Sequence, residues 1–191
     1  MENISRLFFA IEVGDQTRDL LIDLITQLQQ ERWSRYIRWT RSENLHITLR
    51  FIGRCKPEQI ADLIGHTKKS VKTINSFNIH LNSVRLFPSK RNPHVLSVDI
   101  NPSTAFFHLA DVIEQLVVAN EFTPEQRAYL PHLTLGRPTH NLNHFHPQFP
   151  VVNADMMVNK ITLLHSDIVD NKRLYLPIAE FNLCSLENSA S

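Results

Sequence analysis

The stretch NLHITLRF, residues 44–51, decides the fold, because a second stretch, PHLTLGR at residues 131–137, repeats its pattern. Each stretch contains a histidine, an apolar residue, a threonine and a leucine in that order. Apolar and polar residues alternate in both, which is typical of a half-buried β-strand. The sequence therefore predicts two related strands that are far apart in the chain.

Side chains two positions apart on a strand point to the same face of the sheet. His46 and Thr48 are therefore expected to project together from the first strand, and His132 and Thr134 from the second. The apolar side chains between them, together with Phe51, are expected to face a core. A chain of this composition contains about 0.07 copies of His-x-Thr-Leu by chance, so two copies indicate a shared function.

The composition is that of a globular protein with a sizeable core. The chain has 191 residues, of which 42% are hydrophobic and 20% are charged, and its net charge is +1. A single domain built of two similar lobes, covering residues 1–191, is the expected organisation. The small net charge gives no basis for wrapping duplex DNA.

The cysteines and the apolar segments predict the cellular setting. Cys55 and Cys184 are the only cysteines, and they have neither the number nor the spacing of a disulfide framework or a metal site. No stretch approaches the roughly 20 apolar residues that span a bilayer. The apolar run at residues 7–11 reads as a strand and is too short for a signal peptide. We therefore expect a cytoplasmic protein with no membrane partner.

The periodicity of apolar residues predicts a chain in which strands outnumber helices. Helices are expected from a cap at Asp15 or Thr17 to about residue 30, from residue 56 to 71, and from a cap at Ser103 or Thr104 to about residue 119. Besides the second motif strand, strands are expected at residues 6–13, 36–39, 45–52, 77–87, 94–100, 158–165 and 173–181. A turn at residues 88–93 and a loop at 138–150 are also expected.

Two imidazoles with hydroxyls beside them suit acid–base chemistry on an oxyanion. Imidazole has an unperturbed pKa of about 6.5, so it can take up or release a proton near neutral pH. The threonine hydroxyls can donate hydrogen bonds to phosphoryl oxygens. Arg50 has the same parity as His46 and Thr48, so it is expected on their face, either as a phosphate ligand or as a solvated or salt-bridged surface residue.

Strict alternation directs Arg137 away from His132 and Thr134. Arg137 follows Gly136, however, and a glycine permits a bulge or a strand end that would turn the guanidinium back towards the histidines. A guanidinium in that place would hold phosphate oxygens through paired hydrogen bonds and stabilise the charge of the transition state.

The paired motifs resemble the 2H phosphoesterases, and their surroundings look like the RNA 2′,3′-cyclic phosphodiesterases, also called 2′-5′ RNA ligases. The motif pair is specific for the superfamily. Further similarity to this branch lies in RLFFAI at residues 6–11, IRW at 37–39, FIG at 51–53, LFP at 86–88 and PHVL at 93–96. Ser97 stands where the branch often has an aromatic residue.

The resemblance implies an α+β fold of two lobes, with antiparallel sheets, outer helices, a pseudo-two-fold axis and a central cleft. It also implies metal-independent hydrolysis of a terminal 2′,3′-cyclic phosphate to a 2′-phosphate, with reversible 2′-5′ RNA ligation as a related reaction. No cofactor is implied. The implied partners are RNA ends or small cyclic nucleotides, and a monomer is expected.

The resemblance assigns a role to each site residue. His132 is the general base and His46 the general acid, whereas the phosphate oxygens are held by Thr48, Thr134 and Arg137. Two further residues are candidates for contacting RNA: Phe87 by stacking on a terminal base and Arg91 by meeting the backbone. A core position for Phe87 and a plain turn position for Arg91 stay open.

Three alternatives remain. His140, His144 and His146 share one loop and could ligate zinc or nickel, although their spacing matches no firm metal motif. The paired histidines and threonines could hold a nucleotide without turning it over. A related phosphodiesterase could act on another substrate, such as a small cyclic nucleotide, an ADP-ribose cyclic phosphate or a 2′-5′-linked oligoadenylate.

Overall fold

The computed structural model describes residues 5–87, 95–142, 145, 147–170 and 172–185. Its helices are α1 (Asp15–Leu28), α2 (Pro57–Ser70) and α3 (Thr104–Ala119). Its strands are β1 (Ser5–Glu12), β2 (Ile37–Trp39), β3 (His46–Cys55), β4 (Phe77–Phe87), β5 (Val95–Asn101), β6 (His132–Pro138), β7 (Val151–Val158), β8 (Lys160–Val169) and β9 (Lys172–Asn182). Among these described helices, none combines the length and the apolar composition that crossing a bilayer requires.

The strands form one antiparallel sheet whose order divides into two lobes. The first lobe is β9-β8-β1-β3 and the second is β6-β5-β4-β7, with β2 paired to β6 outside this order. The lobes meet where β3 lies against β6, and the described ladder between them consists of the residue pair Ile47 and Leu133. The two motif strands therefore lie side by side at the centre of the sheet.

The two lobes repeat one unit of structure. In the first lobe, β1 leads through α1 to the motif strand β3, and in the second, β5 leads through α3 to the motif strand β6. The first lobe is completed by β8 and β9, and the second by β4 and β7. Since β8 and β9 lie after the whole of the second lobe in the chain, the repeat has no simple linear register in the sequence.

Alternation along the central strands separates the two faces of the sheet. Leu7, Phe9 and Ile11 of β1 belong to the main core, which also contains buried side chains of all three helices. Phe8 and Ala10 point the opposite way and form a small cluster of their own with a residue of β8. The first surface is called the helix face here, and the second, from which both motif histidines project, the histidine face.

Local signals in the sequence explain where the helices begin. Ser103 caps α3, because its hydroxyl accepts a hydrogen bond from the Phe106 amide at 3.2 Å. Pro57 occupies the first turn of α2, where a missing amide hydrogen costs no helical bond. The helix α1 begins after Gly14 without a side-chain cap, so the expected cap at Asp15 or Thr17 is wrong.

The strand β7 is the main departure from the expected elements. No strand was expected at residues 151–157, and the strand expected at 158–165 begins at Lys160 instead. Asn153 has a positive φ of 50°, an uncommon backbone state that disturbs the alternation on which a strand prediction depends. The expected turn at residues 88–93, with Arg91, lies outside the described residues.

Candidate active site

The pair formed by Ile47 and Leu133 marks the pseudo-two-fold axis of the site. His46 and His132 each come one residue before this pair, and Thr48 and Thr134 each come one residue after it. An antiparallel register centred on the pair gathers these four side chains around the axis, on the face opposite the main core. The structure thus brings together the four side chains that the two motifs predict.

Both imidazoles are oriented by the same kind of backbone contact. Nδ1 of His46 lies 2.7 Å from the carbonyl oxygen of Asn44, and Nδ1 of His132 lies 2.8 Å from that of Leu130. A carbonyl oxygen can only accept, so Nδ1 carries the hydrogen in both rings. Each neutral ring therefore presents an unprotonated Nε2, and that of His46 accepts a hydrogen bond from the Thr48 hydroxyl at 3.0 Å.

The two histidines have different aromatic neighbours. Phe8 and Tyr175 contact His46, with ring centroids 5.2 and 5.1 Å away. Phe87 stacks on His132, with centroids 4.3 Å apart and ring planes 19° apart. Phe87 is half-buried, and one face of its ring is taken by the imidazole. The structure therefore shows a packing contact for Phe87, and base stacking by Phe87 stays a prediction.

Burial lowers the pKa of His46 below its usual value of 6.5. The charges of His132 and Arg137 lower this pKa further, whereas the hydrogen bond to Asn44 and the charge of Glu12 act in the opposite direction. Burial is the largest of these influences, because a charged ring loses water that the neighbouring groups replace only in part.

Burial also lowers the pKa of His132, and again it is the largest influence. The hydrogen bond to the Leu130 carbonyl and the charge of Asp99 raise this pKa, and the charges of Arg137 and Arg85 lower it. Because the pKa of each histidine lies below 6.5, both imidazoles are neutral in the free protein at pH 7.

A carboxylate lies opposite each histidine on the neighbouring strand. Glu12 of β1 pairs with His46, and Asp99 of β5 pairs with His132. The two carboxylates occupy equivalent positions in the two lobes, and the charge of each raises the pKa of its histidine. The two motifs predict neither carboxylate, because the alternation within one strand does not show which distant strand pairs with it.

The strand β3 contains a β-bulge directly after Thr48. Thr48 faces Ala10 of β1, whereas Arg50 faces Phe9, so Leu49 is the extra residue. An extra residue shifts the side chains that follow it to the other face of the sheet. Arg50 therefore points to the helix face, and the prediction that it shares the face of the histidines is wrong.

Several acceptors hold Arg50 on the helix face. Its guanidinium forms an ion pair with Glu114 of α3 and donates to the carbonyls of Phe51 and, at 2.5 Å, Thr123. Its side chain is 10% exposed. Phe51 lies on the histidine face instead, where its ring centroid is 5.5 Å from that of Phe8 and the residue is 62% exposed. The expected core position of Phe51 is therefore wrong as well.

The strand β6 has the same bulge after Thr134. Thr134 faces Ser97 of β5, whereas Gly136, two residues later, faces the adjacent Leu96. The extra residue returns Arg137 to the histidine face, and its charge there lowers the pKa of both imidazoles. The bulge that was expected to redirect Arg137 is present, but it lies before the glycine.

Gly136 serves the close approach of β2. It pairs with Trp39, and a Cβ atom at position 136 would lie 2.5 Å from Cγ2 of Ile37 and 3.1 Å from the carbonyl oxygen of Arg38. Arg38 in turn pairs with Arg137. The absence of a side chain at Gly136 therefore keeps β2 in place beside the strand that carries Arg137.

Comparison with known proteins shows which proteins this chain resembles. A family model described as LigT-like phosphoesterase matches residues 11–97. A protein of Bacillus subtilis named RNA 2′,3′-cyclic phosphodiesterase is 28% identical over 148 residues, which cover 76% of this chain and 80% of that protein. A protein of Thermotoga maritima with the same name is 24% identical over 132 residues, or 69% of each chain.

The chain is similar to the LigT-like phosphoesterases over residues 11–97 and to proteins named RNA 2′,3′-cyclic phosphodiesterase over most of its length. The crystal structure of LigT from Escherichia coli complexed with 3′-AMP is 21% identical and superimposes with a TM-score of 0.80, covering 95% of this chain and 99% of that one. This likeness shows the fold, so the expected two-lobed α+β architecture is confirmed for this chain.

Tyr129 connects the two motif strands. Its hydroxyl donates to the Thr48 carbonyl at 2.8 Å, and its ring stacks on Phe106 of α3 with centroids 6.0 Å apart. Burial raises the pKa of this phenol well above its usual range, so it remains a donor. The next residue, Leu130, supplies the carbonyl that orients His132, so the hydroxyl bond ties the second histidine to the strand of the first.

Metal-ligating side chains do not cluster within the part of the chain that the structure describes. In the loop after β6, Nδ1 of His140 lies 3.0 Å from the hydroxyl of Thr139, and its ring contacts Tyr36. His144 and His146 lie outside the described residues. The loop metal site therefore stays a prediction.

Proposed function

We propose that this protein is a phosphoesterase that hydrolyses the 2′,3′-cyclic phosphate at the end of an RNA to a 2′-phosphate. The observation that supports this proposal is the pair of imidazoles, His46 and His132, each with Nδ1 bound to a backbone carbonyl and Nε2 available for proton transfer. Two such bases related by a two-fold axis suit a displacement in which one acts on the attacking oxygen and the other on the leaving oxygen. The name shared by the curated relatives supports the choice of substrate.

In the proposed reaction, His132 is the general base and His46 is the general acid. Nε2 of His132 takes a proton from water while the water oxygen forms a bond to phosphorus. The bond between phosphorus and ribose O3′ breaks, and His46 gives its Nε2 proton to O3′. Exchange with solvent then restores both imidazoles. Each proton transfer typically contributes ~10²–10⁴ to the rate.

Binding of the substrate favours the protonated form of His46, which takes its proton from solvent. A phosphate anion beside the two rings favours the charged imidazole, so it raises the pKa that burial lowers in the free enzyme. Once Nε2 of His46 carries a proton, it no longer accepts from the Thr48 hydroxyl. That hydroxyl can then donate to a phosphate oxygen. The remaining negative charge is answered by Thr134 and by the guanidinium of Arg137.

The terminal nucleoside lies against Phe51 in this proposal. The ring of Phe51 is 62% exposed on the histidine face, and it contacts Phe8, which in turn contacts His46. An exposed aromatic ring separated from the general acid by one other ring offers a flat surface for a base. Phe87 is less suited to this role, because one face of its ring packs on His132.

The same steps allow reversible ligation if a ribose 5′-hydroxyl replaces the attacking water, which yields a 2′-5′ linkage. We place the enzyme in the cytoplasm, since Cys55 and Cys184 are both free thiols and a reducing compartment preserves such thiols. We also propose a monomer, because a single chain contributes both histidines of the site.

The test is hydrolysis of a short RNA that ends in a 2′,3′-cyclic phosphate, in the presence of EDTA, with the product isomer identified. The wild type should form the 2′-phosphate, and His46→Ala and His132→Ala should each lower kcat by ~10²–10⁴. His66→Ala is the matched control, since His66 is exposed on α2 and bonds to Asn120. It should retain wild-type activity.

Each other outcome points to a different function. A bound nucleotide without turnover would identify a binding module, and activity that requires added metal would favour the loop of His140. Turnover of small cyclic nucleotides or 2′-5′ oligoadenylate, without turnover of RNA ends, would indicate another phosphodiesterase. A large loss of thermal stability in either histidine variant would contradict the position of these side chains outside the main core.

A further inference from the structure

The second lobe carries an ion pair on the histidine face that the proposed chemistry does not use. Arg85 of β4 donates from Nε to the carboxylate of Asp99 on β5. The guanidinium carbon of Arg85 also lies 5.3 Å from the ring centroid of Phe87, the ring that stacks on His132. Arg85, Asp99 and Phe87 therefore form a connected group beside the proposed general base.

These contacts orient the guanidinium of Arg85 and leave its outer end accessible. The Arg85 side chain is 44% exposed, and that of Asp99 is 26% exposed. The bond to Asp99 uses Nε, whereas the two terminal nitrogens form the fork that matches a pair of phosphate oxygens. A guanidinium oriented by a carboxylate and an aromatic ring loses less entropy when it binds such an anion.

Ser97 makes room for this arrangement. It pairs with Arg85 on one side and with Thr134 on the other, and it is fully buried. Because side chains in a protein are closely packed, a large aromatic residue at position 97 would compete with the Arg85 side chain for the same space.

The charge of Arg85 favours a second anion near His132. Together with Arg137, Arg85 lowers the pKa of His132, and Asp99 opposes this effect. A cyclic phosphate carries one negative charge, which Arg137 answers in the proposed mechanism. A second arginine beside the same histidine therefore suits a substrate with a second phosphate group.

The position of β4 suggests which phosphate this is. The strand lies two places from β6 in the sheet, which corresponds to about 10 Å at about 4.8 Å per strand. The guanidinium of Arg85 reaches back to Asp99 on β5, one place from β6. It is therefore displaced from the reacting phosphate by one strand spacing, about 5 Å, which is on the scale of one nucleotide step. In an RNA, the next phosphate is the diester that joins the terminal nucleotide to the rest of the strand.

We infer that Arg85, positioned by Asp99, binds the phosphodiester on the 5′ side of the terminal nucleotide, so that the enzyme prefers oligonucleotide ends to cyclic mononucleotides. This inference rests on the proposed function. Arg85 is a substrate-binding residue for the chain of the RNA, whereas Arg137 binds the group that reacts.

The experiment compares three substrates that share one terminal nucleoside 2′,3′-cyclic phosphate. The first is the mononucleotide, the second is the dinucleotide, and the third is the dinucleotide with an uncharged methylphosphonate in place of its internal diester. Values of kcat/KM are measured for the wild type, Arg85→Ala and Arg85→Lys. Lys68→Ala is the control for loss of one positive charge, because Lys68 is exposed on α2, across the sheet from the site.

For the wild type, the charged dinucleotide should be the best of the three substrates. In Arg85→Ala, kcat/KM for the charged dinucleotide divided by kcat/KM for the mononucleotide should fall by about tenfold or more, mainly through KM. The reason is the loss of the hydrogen-bonded charge pair between the guanidinium and the internal phosphodiester. Arg85→Lys should restore part of the ratio. The salt dependence for the dinucleotide should become shallower by about 0.7 in log–log slope, as expected for one lost contact to a single strand.

Two results would overturn the inference. An equal loss on all three substrates would show that Arg85 acts on the reacting phosphate or on His132, and no change in any ratio would show that the ion pair is only a surface contact. If the wild type turned over no substrate, the proposed function itself would fail. Dissociation constants for the charged and uncharged dinucleotides would then be measured for the same variants. If the wild type bound the two dinucleotides equally well, the inference would also be rejected.

Discussion

The two motif strands match as far as the threonine and differ immediately after it. Each has a histidine, an apolar residue, a threonine and then a β-bulge. Beyond the bulge, the first strand places Arg50 on the helix face and Phe51 on the histidine face, whereas the second places Gly136 and Arg137 on the same two faces. A repeated backbone therefore presents an aromatic ring on one side of the axis and a guanidinium on the other.

The largest contrast between the two strands is expected from their arginines. Arg137→Ala should lower kcat/KM by ~10²–10³, the usual effect of removing a group that stabilises a developing oxyanion. Because Arg137 is exposed, the melting temperature of the Arg137→Ala variant should stay close to that of the wild type. Steady-state kinetics and calorimetry on the same sample would test both statements.

Arg50→Ala is the matched variant, since Arg50 lies in the other motif strand and on the other face. It should leave Glu114 of α3 without its ion pair and destabilise the fold by about 1–3 kcal/mol, while activity changes little. Denaturant unfolding would measure the loss. A fall in kcat as large as that of Arg137→Ala would return Arg50 to the active site.

The residues that follow the two bulges on the helix face should also differ in tolerance. Gly136→Ala should destabilise the protein by about 1–3 kcal/mol, because the added methyl group would meet Ile37 at 2.5 Å. Gly65→Ala is the control, since nothing lies within 4 Å of its Cβ position. We expect the control to unfold at a denaturant midpoint equal to or above that of the wild type. The midpoint of Gly136→Ala should be lower. Equal midpoints would show that β2 moves without cost.

The exposed aromatic residue after the first bulge should affect substrate binding. Phe51→Ala should raise KM for an RNA end by roughly fivefold to a hundredfold, since stacking of one base is worth about 1–3 kcal/mol. Phe107→Ala removes a ring of comparable exposure, 43% against 62%, from α3 and should leave KM unchanged. An unaltered KM in Phe51→Ala would assign the base to another surface.

The pH profile tests what the two strands share. The free protein has two neutral histidines at pH 7, because the pKa of each is below 6.5. The proposed reaction needs one neutral and one protonated ring. Since kcat/KM reports the free enzyme, it should rise as pH falls through neutrality, reach a maximum below 6.5 and fall again when both rings are protonated. A maximum above pH 7 would contradict this assignment.

Glu12→Gln and Asp99→Asn extend the pH test to each lobe separately. Each variant removes a charge that raises the pKa of the histidine opposite, so each should move the maximum of kcat/KM to lower pH. Two shifts in the same direction would show that the carboxylates act equivalently, and a shift in one variant alone would show that the lobes tune their histidines differently.

Alternation and spacing predicted the parts of the site that lie on regular strand. His46, Thr48, His132 and Thr134 lie before the bulges, where parity gives the correct face. Arg50 lies after a bulge, and nothing in the sequence at Leu49 distinguishes the extra residue from an ordinary core position. The register of two strands far apart in the chain decides where the bulge occurs, so one strand considered alone cannot reveal it.

The sequence contains a weak signal for the ion pair of Arg85 and Asp99, namely opposite charges on two strands that are expected to pair. Residues 77–87 and 94–100 were expected to form a hairpin, and opposite charges on paired strands attract across such a hairpin. The pairing of Glu12 with His46 had a comparable signal only once β1 was known to lie beside β3. Local patterns therefore predicted most of the helices and strands but not β7, whereas partners across the sheet required the topology.

The order of strands also bears on how the chain folds as it is synthesised. Strands β4 to β7 are consecutive in the chain, between residues 77 and 158, and they form the whole sheet of the second lobe. The first lobe needs β8 and β9, which end at residue 182. Domains form their contacts as the chain emerges, and distant pairings come late. The surroundings of His132 can therefore be complete while Tyr175, which packs on His46, has yet to leave the ribosome.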